Sequence, residues 1–234
     1  MIVYEKGIIM KLLFCNIAWM IRYDGNEDGT DQPRGGGEYV ERTGDAHEKY
    51  NFKPEPLEFP DTKCSDDYCL GFVETKSTNG VSINQLNIEK ISGCENYKKE
   101  PAVEDVLVIY CAPYPFSSIH ETYVVGWYKH AVVYRNYQNI NFPSNDEEGY
   151  YPQSYNALAK SKDCVLLPEN ERRKNQIWRV PRKRKGVSFG FGQANVWFAQ
   201  DADKNPKLQE FLDRIVKQIE EYTGEKFVDK NKCS

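Results

Sequence analysis

Two apolar stretches, VEDVLVIYCA (103–112) and YVVGWYKHAVVYRN (123–136), constrain the fold most. Both are dense in β-branched and aromatic residues and neither carries a helical period, so each is expected as a strand, the second bent near Gly126. Their connection, PYPFSSIHE, holds two prolines and two aromatics and reads as a loop. The two strands are therefore expected as neighbours in one sheet. KLLFCNI (11–17) and CLGFVE (69–74) read as further strands, whereas Glu38 to Pro60 carries aromatics and prolines with no helical period. Ser154 is placed to cap a short helix over YNALAKSK. A second helix is expected after the Asn205–Pro206 cap, with Leu208, Phe211, Leu212, Ile215, Val216, Ile219 and Tyr222 on one face and Gly224 at its end. Strands outnumber helices, with no βαβ alternation and no internal repeat. The pattern predicts an α+β fold on a curved or barrel-like sheet.

At 234 residues, 40% hydrophobic and 13% aromatic, the chain has the composition of a folded domain and excludes collagen-like, coiled-coil and low-complexity classes. No stretch approaches the roughly 18 apolar residues of a membrane span. Glu5 and Lys11 spoil the opening MIVYEKGIIMKLLFCNIAWM as a signal peptide, so a cytoplasmic protein is expected. Residues 1–9 read as an extension upstream of a start at Met10, 10–200 as the main domain, and 201–234 as the terminal helix with a lysine-rich tail. Seven irregularly spaced cysteines point to reduced thiols. Cys64 and Cys69 form a C-x4-C pair with no partner pair to complete a zinc site. No metal and no cofactor is expected.

Charge is strongly polarised. ERRKNQIWRVPRKRK (171–185) carries eight basic side chains against one acidic, so the rest of the chain holds −11 of a net −4. Arg172, Arg173, Lys174, Arg179, Arg182, Lys183, Arg184 and Lys185 are candidates for nucleic-acid backbone contacts, with a solvated basic face as the alternative. GVSFGFGQANVWF follows. Its glycines allow close backbone approach, Gln193 and Asn195 carry the paired donor and acceptor that a base edge requires, and Trp197 offers a stacking face. A bulged strand with a core indole fits the same residues. His47 and Glu48, in GDAHEKYNF, and His120 are candidates for base or metal chemistry, but neither His-Glu dipeptide is HExxH, and GxGxxG, Walker A and GxSxG are absent. Cys15 and Cys111 sit in apolar strands, where thiols are inert.

KLLFCNIAWM, GGGEYVERTGDAHEKYNF, the long VEDVLVIY…VVYRN segment, YNALAKSKDCVLLPENER and FGFGQANVWFA together resemble the specificity module at the N-terminus of bacterial HNH endonucleases that cut modified DNA. The order of features is similar to EVE domains of the PUA-like superfamily. Asp105 and Gly126 match the family's middle strands, although Glu104 stands where the family has glycine, and a long polar loop is inserted after Trp19. The resemblance implies a PUA-like β-barrel that accepts a flipped, modified base into an aromatic cage. It places Asn16, Trp19, Trp127, Gln193, Asn195 and Trp197 in the base pocket, with Gly35, Gly36, Gly37, His47, Glu48 and Asn51 as loop candidates. Each tryptophan also suits a core.

After Gln200 the sequence offers one amphipathic helix and no ββα-metal unit. The expectation is a non-catalytic reader of modified DNA acting with a separate effector or nuclease chain, without a membrane. The alternatives are an enzyme acting on a nucleotide or nucleobase through His47, Glu48 and His120, and an RNA-binding scaffold.

Overall fold

A computed structural model describes residues 10–25, 28–35, 38–57, 66–75, 77–78, 82–83, 85–119, 121–143 and 149–228. The extension at 1–9, Gly36, Gly37, Cys64 and His120 lie outside the described residues. The strands are β1 (Lys11–Asn16), β2 (Pro54–Leu57), β3 (Asp66–Gly71), β4 (Ser77–Thr78), β5 (Ser82–Ile83), β6 (Ala102–Pro113), β7 (Thr122–Pro143), β8 (Tyr150–Lys160), β9 (Cys164–Leu166), β10 (Arg179–Val180) and β11 (Val196–Trp197). The helices are α1 (Glu38–Thr43), α2 (Glu169–Arg172) and α3 (Pro206–Glu220). The fold is a sheet-rich α+β architecture, as expected.

β6 and β7 are antiparallel neighbours, registered from Ala102↔Tyr134 to Pro113↔Thr122. The bend expected near Gly126 coincides with a register irregularity where Tyr110↔Gly126 gives way to Cys111↔Val124. β7 is long enough to serve three partners along its other edge, β10 at Thr122–Tyr123, β9 at Gly126–Tyr128 and β8 beyond Val132. The sheet runs β11-β1-β6-β7-β8-β3-β2, with β1 parallel to β6.

This sheet is not closed, because its path ends in β11 on one side and β2 on the other. Two of its strands approach more closely than their order suggests. β6 and β3 are three strand spacings apart, about 14 Å if flat, yet a Cβ on Gly71 of β3 would collide with the Tyr110 hydroxyl of β6. Only glycine admits the ring there.

Alternation along the strands builds two cores. Leu13, Cys15, Val106, Val108 and Tyr110 point into one cluster, and Leu12, Phe14, Leu107, Ile109 and Cys111 into the other, on the opposite face. α3 covers the second face. Its Asn205 cap accepts from the Leu208 amide at 3.2 Å, and Leu208, Phe211, Leu212, Ile215, Val216 and Ile219 are buried as the periodicity predicts. Each such burial is worth roughly 1.5–3 kcal/mol before conformational entropy is charged.

Two secondary-structure expectations fail. Residues 154–160 form part of strand β8 and not a helix, because β8 lies between β7 and β3 and its Asn156–Ala159 run is buried. Tertiary pairing overrides the helical preference of Ala, Leu and Lys. Asn156 is fixed by exchanging hydrogen bonds with the Val73 backbone at 3.1 and 2.9 Å. The Glu38–Pro60 stretch does contain helix, since α1 opens it, followed by a 3-10 turn at His47–Tyr50.

Candidate functional site

Where β10 joins the start of β7, the chain forms a cleft of about 420 Å³. Arg179, Arg182, Arg184 and Arg214 line it against a single carboxylate, Glu121, together with Thr122, Gln176 and the apolar Ile119, Val187, Phe189 and Phe211. The sequence builds it locally. β10 pairs Arg179 with Tyr123 and Val180 with Thr122, and then Pro181 ends the strand. The chain returns through a tight excursion in which Phe191 donates to the Pro181 carbonyl at 3.1 Å and Lys183 donates to the Phe191 carbonyl at 2.7 Å. Gly190 makes this return feasible, with φ at +113° and no room for a Cβ beside the Pro181 carbonyl.

Arg182 is the hinge of the site. Its Nη1 donates to Thr122 Oγ1 at 3.1 Å and to Asn16 Oδ1 at 3.4 Å, while the Asn16 amide donates to the Asn195 carbonyl at 2.7 Å. Two residues expected in the base pocket, Asn16 and Asn195, thus meet beside an arginine expected on the backbone. Arg214 donates to the Ile177 carbonyl at 2.6 Å and lies over the Phe211 ring. Burial draws the Arg182 and Arg214 pKa values below the ordinary arginine range, though a guanidinium stays charged throughout the working pH range. Arg179 pairs with Glu121 at 3.4 Å. Lys183, Arg184 and Lys185 are exposed at the tip of the excursion and make no ion pair among the described residues. Forked donors of this kind suit phosphate or carboxylate oxygens, and the ring-lined wall suits a flat apolar face.

The tryptophans do not form one cage. Trp127 is a core residue, stacked on Trp178 at 5.4 Å and met edge-on by Tyr222 at 5.4 Å under α3. Trp19 belongs to the opposite face, between Tyr114 at 5.2 Å and the Arg172 guanidinium at 5.1 Å. Trp197 is half-buried and packs on Phe189 and Phe211, which line the cleft, so it stands behind that wall. Gln193 is exposed.

The basic run divides by role. Arg172 is fully buried and donates to the carbonyls of Leu167, Met20 and Ile21, which removes it from any backbone-contacting surface. Lys174 pairs with Glu171 at 3.0 Å, and Arg173 lies over the Tyr114 ring at 3.8 Å. Sequence reasoning missed Arg214, Glu121, Thr122, Gln176 and Phe189. Arg214 lies beyond the charge run, one helical turn from Phe211, so only the docking of α3 brings it to the cleft.

Several loop candidates hold backbone. Glu48 accepts from the Ala18 amide at 2.7 Å, and burial raises its pKa. Asn51 exchanges hydrogen bonds with both backbone groups of Phe72, at 3.0 and 2.8 Å, because both are buried and need partners. His47 is exposed and rests against the Phe72 ring, 5.3 Å between centroids. His130 instead pairs with Asp105 at 2.8 Å, and both adopt left-handed backbone at exposed positions. Gly35 is exposed, next to Pro113. The Cys15 and Cys111 thiols are buried and pushed well above their ordinary range, which leaves them protonated.

No protein-family model, curated protein or solved structure matches the chain.

Proposed function

We propose that this chain is a nucleic-acid-binding module that recognises a modified base in DNA, with the arginine cleft as the place where a displaced nucleotide is held. One observation carries the proposal. Four guanidiniums meet a ring-lined wall and the neutral edge groups Thr122 and Gln176 in one cleft. Phosphate oxygens would take the forked donors, a base would lie against Phe189, and Gln176 would contact its edge. The exposed Lys183, Arg184 and Lys185 would follow the backbone outward.

A PUA-like architecture belongs to the same proposal. It is supported by the close approach of Gly71 in β3 to Tyr110 in β6 and by the long β7, which pairs with β6, β8, β9 and β10. The modified base, the choice of DNA over RNA and a separate effector chain are parts of the proposal too.

The test compares two variants by fluorescence polarisation with labelled duplexes. Arg184→Glu is expected to weaken binding to every duplex, whereas Phe189→Ala is expected to reduce discrimination between modified and unmodified duplex. Equal effects of both variants on all duplexes would overturn the pocket.

A further inference from the structure

The connection between β6 and β7 presents two large apolar side chains to solvent, Phe116 at 63% and Ile119 at 58% exposure. They are held in place. The Tyr114 amide donates to the Glu121 carbonyl at 2.7 Å, Ser117 donates back to Tyr114 at 3.3 Å, and the Ile119 amide donates to the Ser117 hydroxyl at 3.3 Å. The Tyr114 ring is packed edge-on against both Trp19 and Phe116, which ties the loop to the core. A flexible loop would fold such side chains away, but this one is braced with them outward.

The surroundings say what they face. Arg34 lies over the Phe116 ring at 5.1 Å and Arg173 over Tyr114 at 3.8 Å, and neither pairs with a carboxylate among the described residues. Ile119 itself lines the arginine cleft. An apolar tip with two guanidiniums that meet no carboxylate among the described residues on one side, and a four-arginine cleft on the other, matches stacked bases flanked by phosphates.

We propose that this loop is a wedge, with Phe116 and Ile119 entering the base stack of duplex DNA and occupying the gap left by the nucleotide that moves into the cleft. The inference rests on the nucleic-acid reading of the cleft. It adds a residue-level device for opening the duplex, and it does not depend on which base is modified.

A wedge gains most where unstacking is already complete, so a duplex with a central mismatch should bind more tightly than its matched counterpart. The experiment measures affinity for a matched duplex, the same duplex with one mismatch carrying 2-aminopurine beside it, and the single strand. The wild-type chain is expected to prefer the mismatched duplex and to raise 2-aminopurine fluorescence. Phe116→Ala, outside the cleft lining, should weaken duplex binding about 5- to 150-fold, the stacking of one base, and abolish the fluorescence rise while single-strand binding persists. Phe116→Trp should retain both. Phe116 is exposed, so an unchanged melting temperature accompanies the loss.

Duplex binding and fluorescence that are the same in Phe116→Ala as in the wild type would overturn the wedge and leave the cleft standing. No binding to any of the three probes would overturn the cleft and the wedge together. A Phe116→Ala variant whose only change is its sedimentation would make the loop a protein contact, against the proposal.

Discussion

Arg172→Ala separates the structural arginine of the basic run from those at its surface. The guanidinium is completely buried, donates to Leu167 at 2.9 Å and to Ile21 at 2.8 Å, reaches the Met20 carbonyl as well, and lies over Trp19. It clamps the end of the first strand's loop to the turn before α2. Burial lowers its pKa, so the fold already carries a desolvation cost for this charge. Truncation removes that cost but leaves the buried Leu167 and Met20 carbonyls, and the partly buried Ile21 carbonyl, without this donor, at roughly 1–3 kcal/mol each, about 3–5 kcal/mol in all. For a chain of this length that is a fall in melting temperature of about 6–20 °C. Arg184→Ala, exposed and unpaired among the described residues, should move it by less than about 2 °C. Differential scanning fluorimetry of the two variants against wild type reads both. A fall of under about 4 °C for Arg172→Ala, or equal falls for the two, would refute the division of the run into a buried clamp and a binding surface.

Three further outcomes follow from contacts elsewhere in the molecule. Replacing Lys183, Arg184 and Lys185 with alanine should flatten the dependence of log affinity on log salt by up to about 2.7 if all three meet phosphates, and an unchanged slope would remove them from the interface. Glu48 binds its proton more tightly folded than unfolded, so its contribution to stability is full below the unfolded carboxyl value of about 4.3 and is lost as pH rises through the folded value. Glu48→Gln, which keeps an oxygen for the Ala18 amide, should therefore flatten the fall in urea-unfolding stability above that pH, and an identical pH profile would contradict the assignment. Gly190→Ala would drive a Cβ into the Pro181 carbonyl, so it should cost more than about 1 kcal/mol and weaken oligonucleotide binding, and wild-type stability would show that the return at Phe191 is adjustable.

Local pattern was legible wherever one face of an element decides its conformation. α3 shows this best, because the Asn205–Pro206 cap and the 3.6-residue stripe appear in the sequence and recur in the fold. β6 and β7 were legible for the same reason, as long β-branched runs. β8 was not, since Asn156–Ala159 has helix-forming composition and becomes strand only because β7 and β3 flank it. The site divides along the same line. Asn16, Asn195, Arg179, Arg182 and Arg184 could be chosen by residue type, and they do meet at one cleft or beside it. The role of Arg172 was invisible, because a basic run says nothing about which member turns inward. Arg214 and Phe211 reach the cleft only through the docking of a helix more than twenty residues downstream of the charge run. The tryptophan cage failed for a topological reason. Trp19 and Trp127 feed opposite faces of one sheet, and composition cannot assign faces across strands that are far apart in the chain.

The most direct test of the central claim is fluorescence-polarisation binding of the purified chain to matched duplexes carrying cytosine, 5-methylcytosine, 5-hydroxymethylcytosine or N6-methyladenine, at low and at physiological salt, with RNA as competitor. The account predicts preference for one modified duplex that survives physiological salt and RNA competition. Equal affinities that vanish together as salt rises, or no binding at all, would contradict it.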